Sequence, residues 1–209
     1  MIDTGKTELP LWLDVSRETH ERLVVLLEMV RKWNPAINLV GSATLDNGWD
    51  RHVLDSAQLF ELGRIESGVW VDFGSGAGFP GLVLAAIAAE KTPGVRFVLI
   101  EADRRKATFL MQAAHNLRLS VQILTKRLEE LTPMLADVIT ARAFASLDHI
   151  CGQAAKHLVP TGTGVFSKGA NHESEIAEAK MKWSFDCEKL PSRTDNSGVI
   201  LRLRNIIHA

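Results

Sequence analysis

Apolar side chains recur at helical spacing early in the chain and at strand-like spacing later. From Ser16, a residue suited to cap a helix, Leu23, Leu26, Leu27, Val30 and Trp33 return every three or four positions. This spacing predicts a helix that Pro35 ends. A second helix is expected from Asn47 to Leu62, with Trp49, Val53, Ala57 and Phe60 as its apolar stripe. His52, Asp55 and Ser56 then share a different face, which either borders an active site or carries a surface pair. Asn34 and Asn38 bracket Pro35 and are expected to satisfy the backbone of that turn.

Near residue 66 the pattern changes. Strand-like runs appear at GVWVDF (68–73), VRFVLIE (95–101), SVQILT (120–125), ADVITARA (136–143) and GTGVFSK (162–168). Helical patterns separate them, at 80–90, 103–117, a short one at 128–135, and 146–158. Such alternation calls for a parallel sheet covered by helices on both faces. A charged helix (172–183) follows, then SFDCEKL and GVILRLRNII joined by the polar turn SRTDNSG, a hairpin that puts an antiparallel strand at one edge. The chain is therefore divided into a helical region, 1–66, and an α/β domain, 67–209.

Composition narrows the class without naming a function. With 46 % hydrophobic and 23 % charged residues, the 209-residue chain can bury a full core. No apolar run approaches the roughly 18 to 20 residues that span a bilayer. The opening MIDTGKTELP lacks the layout of a signal peptide, and Cys151 and Cys187 suggest neither a metal cluster nor a disulfide framework. A cytoplasmic protein without a metal is expected. The net charge of −1 argues against a chain coated in nucleic acid, although local basic clusters such as Arg104-Arg105-Lys106 remain.

The densest signal is VDFGSGAGFPG, residues 71–81, which follows the first strand and opens a helix. A phosphate-binding P-loop is excluded, because no lysine occurs between Val69 and Glu90. A dinucleotide fingerprint is literally present as Gly76-Ala77-Gly78-Phe79-Pro80-Gly81, with Glu101 placed to meet a ribose. Asp72-Phe73-Gly74-Ser75-Gly76-Ala77-Gly78 equally matches a loop for S-adenosylmethionine, an acid closing the strand before G-x-G-x-G. Glu101 serves either ribose. Asp72 favours the cationic sulfonium and would repel a pyrophosphate, so S-adenosylmethionine is the expected ligand.

Seven segments carry a family resemblance: WNPAINLV (33–40), RHVLDS (51–56), VDFGSGAGFPGLVLA (71–85), IEADRRKATFL (100–110), KRLEEL (126–131), ARAFASL (141–147) and SKG (167–169). In these the chain resembles the bacterial small-subunit ribosomal RNA guanine-N7 methyltransferases, the glucose-inhibited division protein B family. The resemblance implies a class I, Rossmann-like α/β fold: a seven-stranded, mostly parallel sheet with an antiparallel final strand, behind a small helical region. It implies methyl transfer from S-adenosylmethionine to N7 of one guanine, usually numbered 527, in 16S ribosomal RNA, free or within the small subunit. It also implies that Gly74 and Phe79 contact the cofactor, that Leu128 and Glu129 flank the adenine, and that Arg142 sits near the cofactor and reaction centre.

From the residues themselves, Asp72, Gly76, Gly78 and Glu101 complete the expected cofactor set, with Asp103 the alternative to Glu101 for the ribose. The segment IEADRRKATFL departs from the glycine-lysine-arginine form of many members, and Glu101 is preferred because it ends the strand. Arg142 is expected to bind guanine O6 alone, an RNA phosphate or the methionine carboxylate, since a donor on N7 would block its attack. Lys168, ending the next strand, is expected to meet a phosphate. A monomer is expected.

Overall fold

The computed structural model describes residues 7–209, so residues 1–6 of the opening segment, on which the signal-peptide reading partly rests, lie outside the described residues. Seven strands form one sheet: β1 (Ser67–Phe73), β2 (Gly94–Ile100), β3 (Val121–Leu124), β4 (Ala136–Arg142), β5 (Leu158–Lys168), β6 (Trp183–Pro191) and β7 (Val199–His208). The helices are α1 (Arg17–Ile37), α2 (Asp55–Ala57), α3 (Phe60–Gly63), α4 (Gly81–Lys91), α5 (Arg104–Asn116), α6 (Leu147–His157) and α7 (His172–Ala179).

The strand order is β3-β2-β1-β4-β5-β7-β6. Strands β1 to β5 pair in parallel, while β7 runs antiparallel between β5 and β6. The expected antiparallel final strand is thus present, one place in from the edge that β6 forms. The order reverses at β1, between β2 and β4, and at this switch point open α/β sheets bind ligands beyond their carboxyl ends. β1 and β2 each end in four buried residues, as strands covered on both faces must.

Each face of the sheet carries its own apolar core. On one side Trp70, Leu99 and Phe97 pack with α4 and α5, and α1 lies over that layer through Leu23, Leu26, Leu27 and Val30. On the other, Phe73, Ile139 and Phe166 pack against α6 and α7 through Ile150, Cys151, Ala154 and Ile176. The start of α1 is also pinned to the end of α4. The Ser16 side chain caps its own helix by accepting from the Thr19 amide, and its backbone N–H and hydroxyl donate to the Glu90 carboxylate at 3.0 and 2.8 Å.

Two helical expectations need correction. Pro35 does not end the first helix, which continues to Ile37. In the last turn a proline forfeits only one ladder bond, and Asn38 then stops the helix in the left-handed region at φ 49°, its N–H on the Asn34 carbonyl. Asn34 Oδ1 takes the Val40 amide at 2.8 Å, so both asparagines do satisfy this turn. The expected helix 47–62 is broken instead. A π-helical turn, Trp49–Leu54, passes into α2, and α3 follows after Gln58 and Leu59. Elsewhere, the segment expected to be helical at 128–135 is a single 3-10 turn, Leu128–Glu130, and the charged helix ends at Ala179.

Candidate functional site

The glycine loop between β1 and α4 bends through three left-handed residues, Gly74 (φ +63°), Gly76 (φ +53°) and Gly78 (φ +85°). A Cβ on Gly74 would lie 2.3 Å from Cδ2 of Phe144, so this position excludes side chains by space as well as by conformation. The loop's amides are largely spent within the protein. Ser75 N–H donates to the Ile100 carbonyl, Gly76 N–H to Glu101 Oε2 (2.8 Å), Gly78 N–H to the Ser75 carbonyl and Gly81 N–H to Asp72 Oδ2 (3.1 Å). A pyrophosphate site needs such amides free. Here four are engaged, two of them by carboxylates, and that favours a cationic ligand over an anionic one.

Asp72 differs in orientation from the reading of it as an acid presented to a ligand. It is fully buried in a strand covered on both faces, with Oδ1 accepting from the Thr140 hydroxyl at 2.8 Å and Oδ2 from Gly81. It anchors the loop from beneath. Glu101, at the end of β2, faces the loop and also accepts the Asp103 amide. Asp103 caps α5 by accepting the Arg105 and Lys106 amides. Of the two acids, Glu101 is therefore the one directed at the glycine loop.

Beside the loop, Arg142 at the end of β4 gathers groups from distant segments. Its Nη1 donates to the Arg51 carbonyl (2.8 Å) and to Asp55 Oδ2 (3.3 Å), and its Nη2 donates to His52 Nδ1 (3.1 Å). Its guanidinium carbon stands 5.5 Å from the centre of the Phe79 ring, on which His52 stacks at 5.1 Å. Because arginine only donates, His52 Nδ1 must accept, which leaves the proton on Nε2 to meet Thr44 Oγ1 at 2.8 Å. The Thr44 hydroxyl in turn donates to the Gly41 carbonyl. Burial first, then the charges of Arg142 and Arg51, hold the His52 pKa down to about 4.

A cavity of roughly 300 Å³ opens beside this cluster, lined in part by Arg142, His52, Asp55, Lys168, Thr194 and Asp195. The hairpin turn between β6 and β7 closes one side. Thr194 donates its hydroxyl to Asp55 Oδ1 at 2.8 Å, and Asp195 pairs with Arg51 at 3.2 Å.

The remaining expected residues are more structural in their surroundings. Lys168 reaches the cavity wall, but its ammonium is held by Glu175 (2.6 Å) and the Ala145 carbonyl (2.8 Å), tying β5 to the segment after β4. Leu128 is buried in the core, and Glu129 pairs with His149 at 3.5 Å, so their side chains are engaged within the protein. Ser56 is buried with its hydroxyl on the His52 carbonyl. The sequence reading missed Thr44, Gln58 and Thr194. Gln58 donates to Asp55 Oδ1 at 2.9 Å, and its own Oε1 accepts the Arg193 amide. The polar turn SRTDNSG carried the only signal for Thr194, and nothing local says which strand end it covers. Among the described residues no group of three His, Cys, Asp or Glu side chains is placed to hold a metal ion.

His52 and Asp72 act oppositely on stability. The fold lowers the His52 pKa from 6.5 to about 4, so its contribution is complete above pH 6.5 and is lost as pH falls toward 4. Burial raises Asp72 from 3.8 to about 6, so its contribution is complete below pH 3.8 and is lost as pH rises through 6. In denaturant titrations between pH 6.5 and 4, His52→Gln is expected to lose stability on acidification less steeply than the unsubstituted protein. Equal slopes would remove His52 as a source of the acid sensitivity.

Comparison with known proteins gives a consistent result. A family model described as rRNA small subunit methyltransferase G matches residues 19–198. The chain is 52 % identical over 196 residues to "Ribosomal RNA small subunit methyltransferase G" of Cereibacter sphaeroides, covering 94 % of this chain and 95 % of that protein. It is 47 % identical to the protein of the same name from Rhodospirillum rubrum over 195 residues, with 93 % and 94 % covered. Among solved structures, a SAM-dependent methyltransferase from Aquifex aeolicus superposes with a TM-score of 0.60 at 11 % identity, covering 87 % of this chain and 98 % of that one. A ribosomal protein L11 methylase from Lactobacillus delbrueckii gives 0.59 at 16 % identity, with 74 % and 78 % covered. At these identities the structural likeness concerns the fold.

Proposed function

Because the chain belongs to the rRNA small subunit methyltransferase G family, we propose that it methylates N7 of one guanine of 16S ribosomal RNA at the cavity beside Arg142. It is an S-adenosylmethionine-dependent enzyme. The observation that carries the site assignment is the junction at Arg142. One guanidinium stands over Phe79 of the glycine loop and also lines the adjoining cavity, so cofactor and acceptor base would meet across it.

The residues present fit the cofactor. The left-handed glycines leave room for close approach, and at the loop the Glu101 carboxylate stands where a phosphate site would have a free amide. In this reading Gly74, Gly76, Gly78 and Phe79 form the floor, Asp72 fixes the loop from below, and Glu101 exchanges its bond to Gly76 for the ribose hydroxyls. The turn bearing Leu128 and Glu129 borders the adenine through its backbone. Bound S-adenosylmethionine supplies an electrophilic methyl group.

Guanine N7 carries an in-plane lone pair and no proton, so the chain need not provide a general base. The task left to it is orientation. Arg142, fixed by the Arg51 carbonyl, Asp55 and His52, supplies a rigid donor at the cavity. Neutral His52 holds that donor rather than taking a proton. Lys168 is assigned to keep the 143–146 segment in place through Ala145 and Glu175. We further propose action in the cytoplasm as a monomer; no helix among the described residues is long and apolar enough to cross a membrane. The test is transfer of a labelled methyl group to small-subunit RNA with the product nucleotide mapped.

A further inference from the structure

The cavity beside Arg142 holds a donor and an acceptor in a fixed row. Arg142 Nη1 and Asp55 Oδ2 lie 3.3 Å apart, with only 17 % and 18 % of their side chains exposed. Arg142 offers five N–H donors, and three are committed to the Arg51 carbonyl, Asp55 and His52. Two have no recorded partner among the described residues. Asp55 accepts from Gln58 and Thr194 on Oδ1 but only from Arg142 on Oδ2. A carboxylate has about four lone-pair sites, so Oδ2 can take another donor. Ser167 Oγ, on the same cavity wall, is buried without a partner.

We infer that Arg142 and Asp55 together read the Watson–Crick edge of the acceptor guanine, Arg142 donating to O6 and the one open site on Asp55 Oδ2 being shared by N1–H and the 2-amino group in a bifurcated bond. This rests on the methylation reading given above. Guanine presents acceptor, donor, donor along that edge. Adenine and cytosine place a donor where O6 stands and would set it against Arg142. Uracil shares the acceptor and first donor but has no N7. The arrangement also meets the constraint on Arg142. Two of its donors are turned to Arg51 and His52, and the bond to Asp55 points it along the O6–N1 side. N7, on the other side of O6, is left without a donor and open to the cofactor. Thr194, on the β6–β7 turn, donates to Asp55 and so holds the carboxylate in register.

The experiment compares 30S particles reconstituted with guanine or inosine at the target position. Inosine keeps O6, N1–H and N7 and lacks only the 2-amino group. The unsubstituted enzyme is expected to lose about 10-fold or more in kcat/KM on inosine, and Asp55→Asn to lose about 10- to 100-fold on guanine. Asp55→Asn should then show little further loss on inosine, because the partner of the missing amino group is already gone. A purely structural Asp55 would instead leave the inosine penalty intact in the variant. Equal rates on guanine and inosine with the unsubstituted enzyme, a comparison that needs no variant to fold, would overturn the inference while leaving methylation in place. No label on the guanine particle would remove the methylation reading itself, and this inference with it.

Discussion

Arg142→Ala is expected to lower methyl transfer by at least about 100-fold, the scale on which removing a preorganised donor acts at a reacting centre. Three anchors hold this guanidinium at 2.8, 3.3 and 3.1 Å. Alanine removes the donor and leaves the Asp55 carboxylate and His52 Nδ1 facing an empty space. Arg142→Lys should recover little, because one ammonium cannot span the Arg51 carbonyl, Asp55 and His52 while stacking over Phe79. The measurement is single-turnover transfer at saturating cofactor. A rate within threefold of the unsubstituted enzyme would remove Arg142 from the reaction centre.

Gly74→Ala is expected to weaken S-adenosylmethionine binding by about 10-fold or more and to destabilise the fold by about 1–3 kcal/mol. The φ of +63° is strained for any residue with a Cβ, and the new methyl would meet Phe144 at 2.3 Å. Phe144 cannot retreat freely, since it packs on Phe73 and His149. Gly41→Ala makes the contrast: nothing lies within 4 Å of its added Cβ and its φ is −58°. That variant should stay within about 0.5 kcal/mol of the parent. Equilibrium dialysis and denaturant unfolding measure both, and equal behaviour of the two variants would contradict the account of the loop.

What the sequence made legible was whatever is local. The stripe Leu23, Leu26, Leu27 and Val30 and the Ser16 cap define α1, and the β-α alternation gives the sheet because each strand carries its own pattern. The glycine loop is contiguous, so its placement between β1 and α4 followed directly. The broken helix at 49–63 was not legible. Its apolar residues suit a regular helix, and the departure depends on packing under α1 and on the His52–Thr44 and Asp55–Thr194 bonds.

The cavity was the least legible part. Residues 55, 142 and 194 meet only because β4 ends beside the RHVLDS segment and the β6–β7 turn folds back over both. The sequence reading marked Arg142 from one motif and His52 and Asp55 from another, with no means of joining them. Asp72 shows the reverse limit. Its position before the glycines suggested a ligand-facing acid, yet burial on both faces of β1 turns it to Thr140 and Gly81.

The central claim is tested most directly by incubating the purified protein with methyl-labelled S-adenosylmethionine and either 30S subunits or bare 16S RNA from a strain lacking the gene, then mapping the label. The account predicts label on N7 of a single guanine in at least one substrate form. Cofactor bound but no label on either RNA, or label on a base atom other than guanine N7, would contradict it.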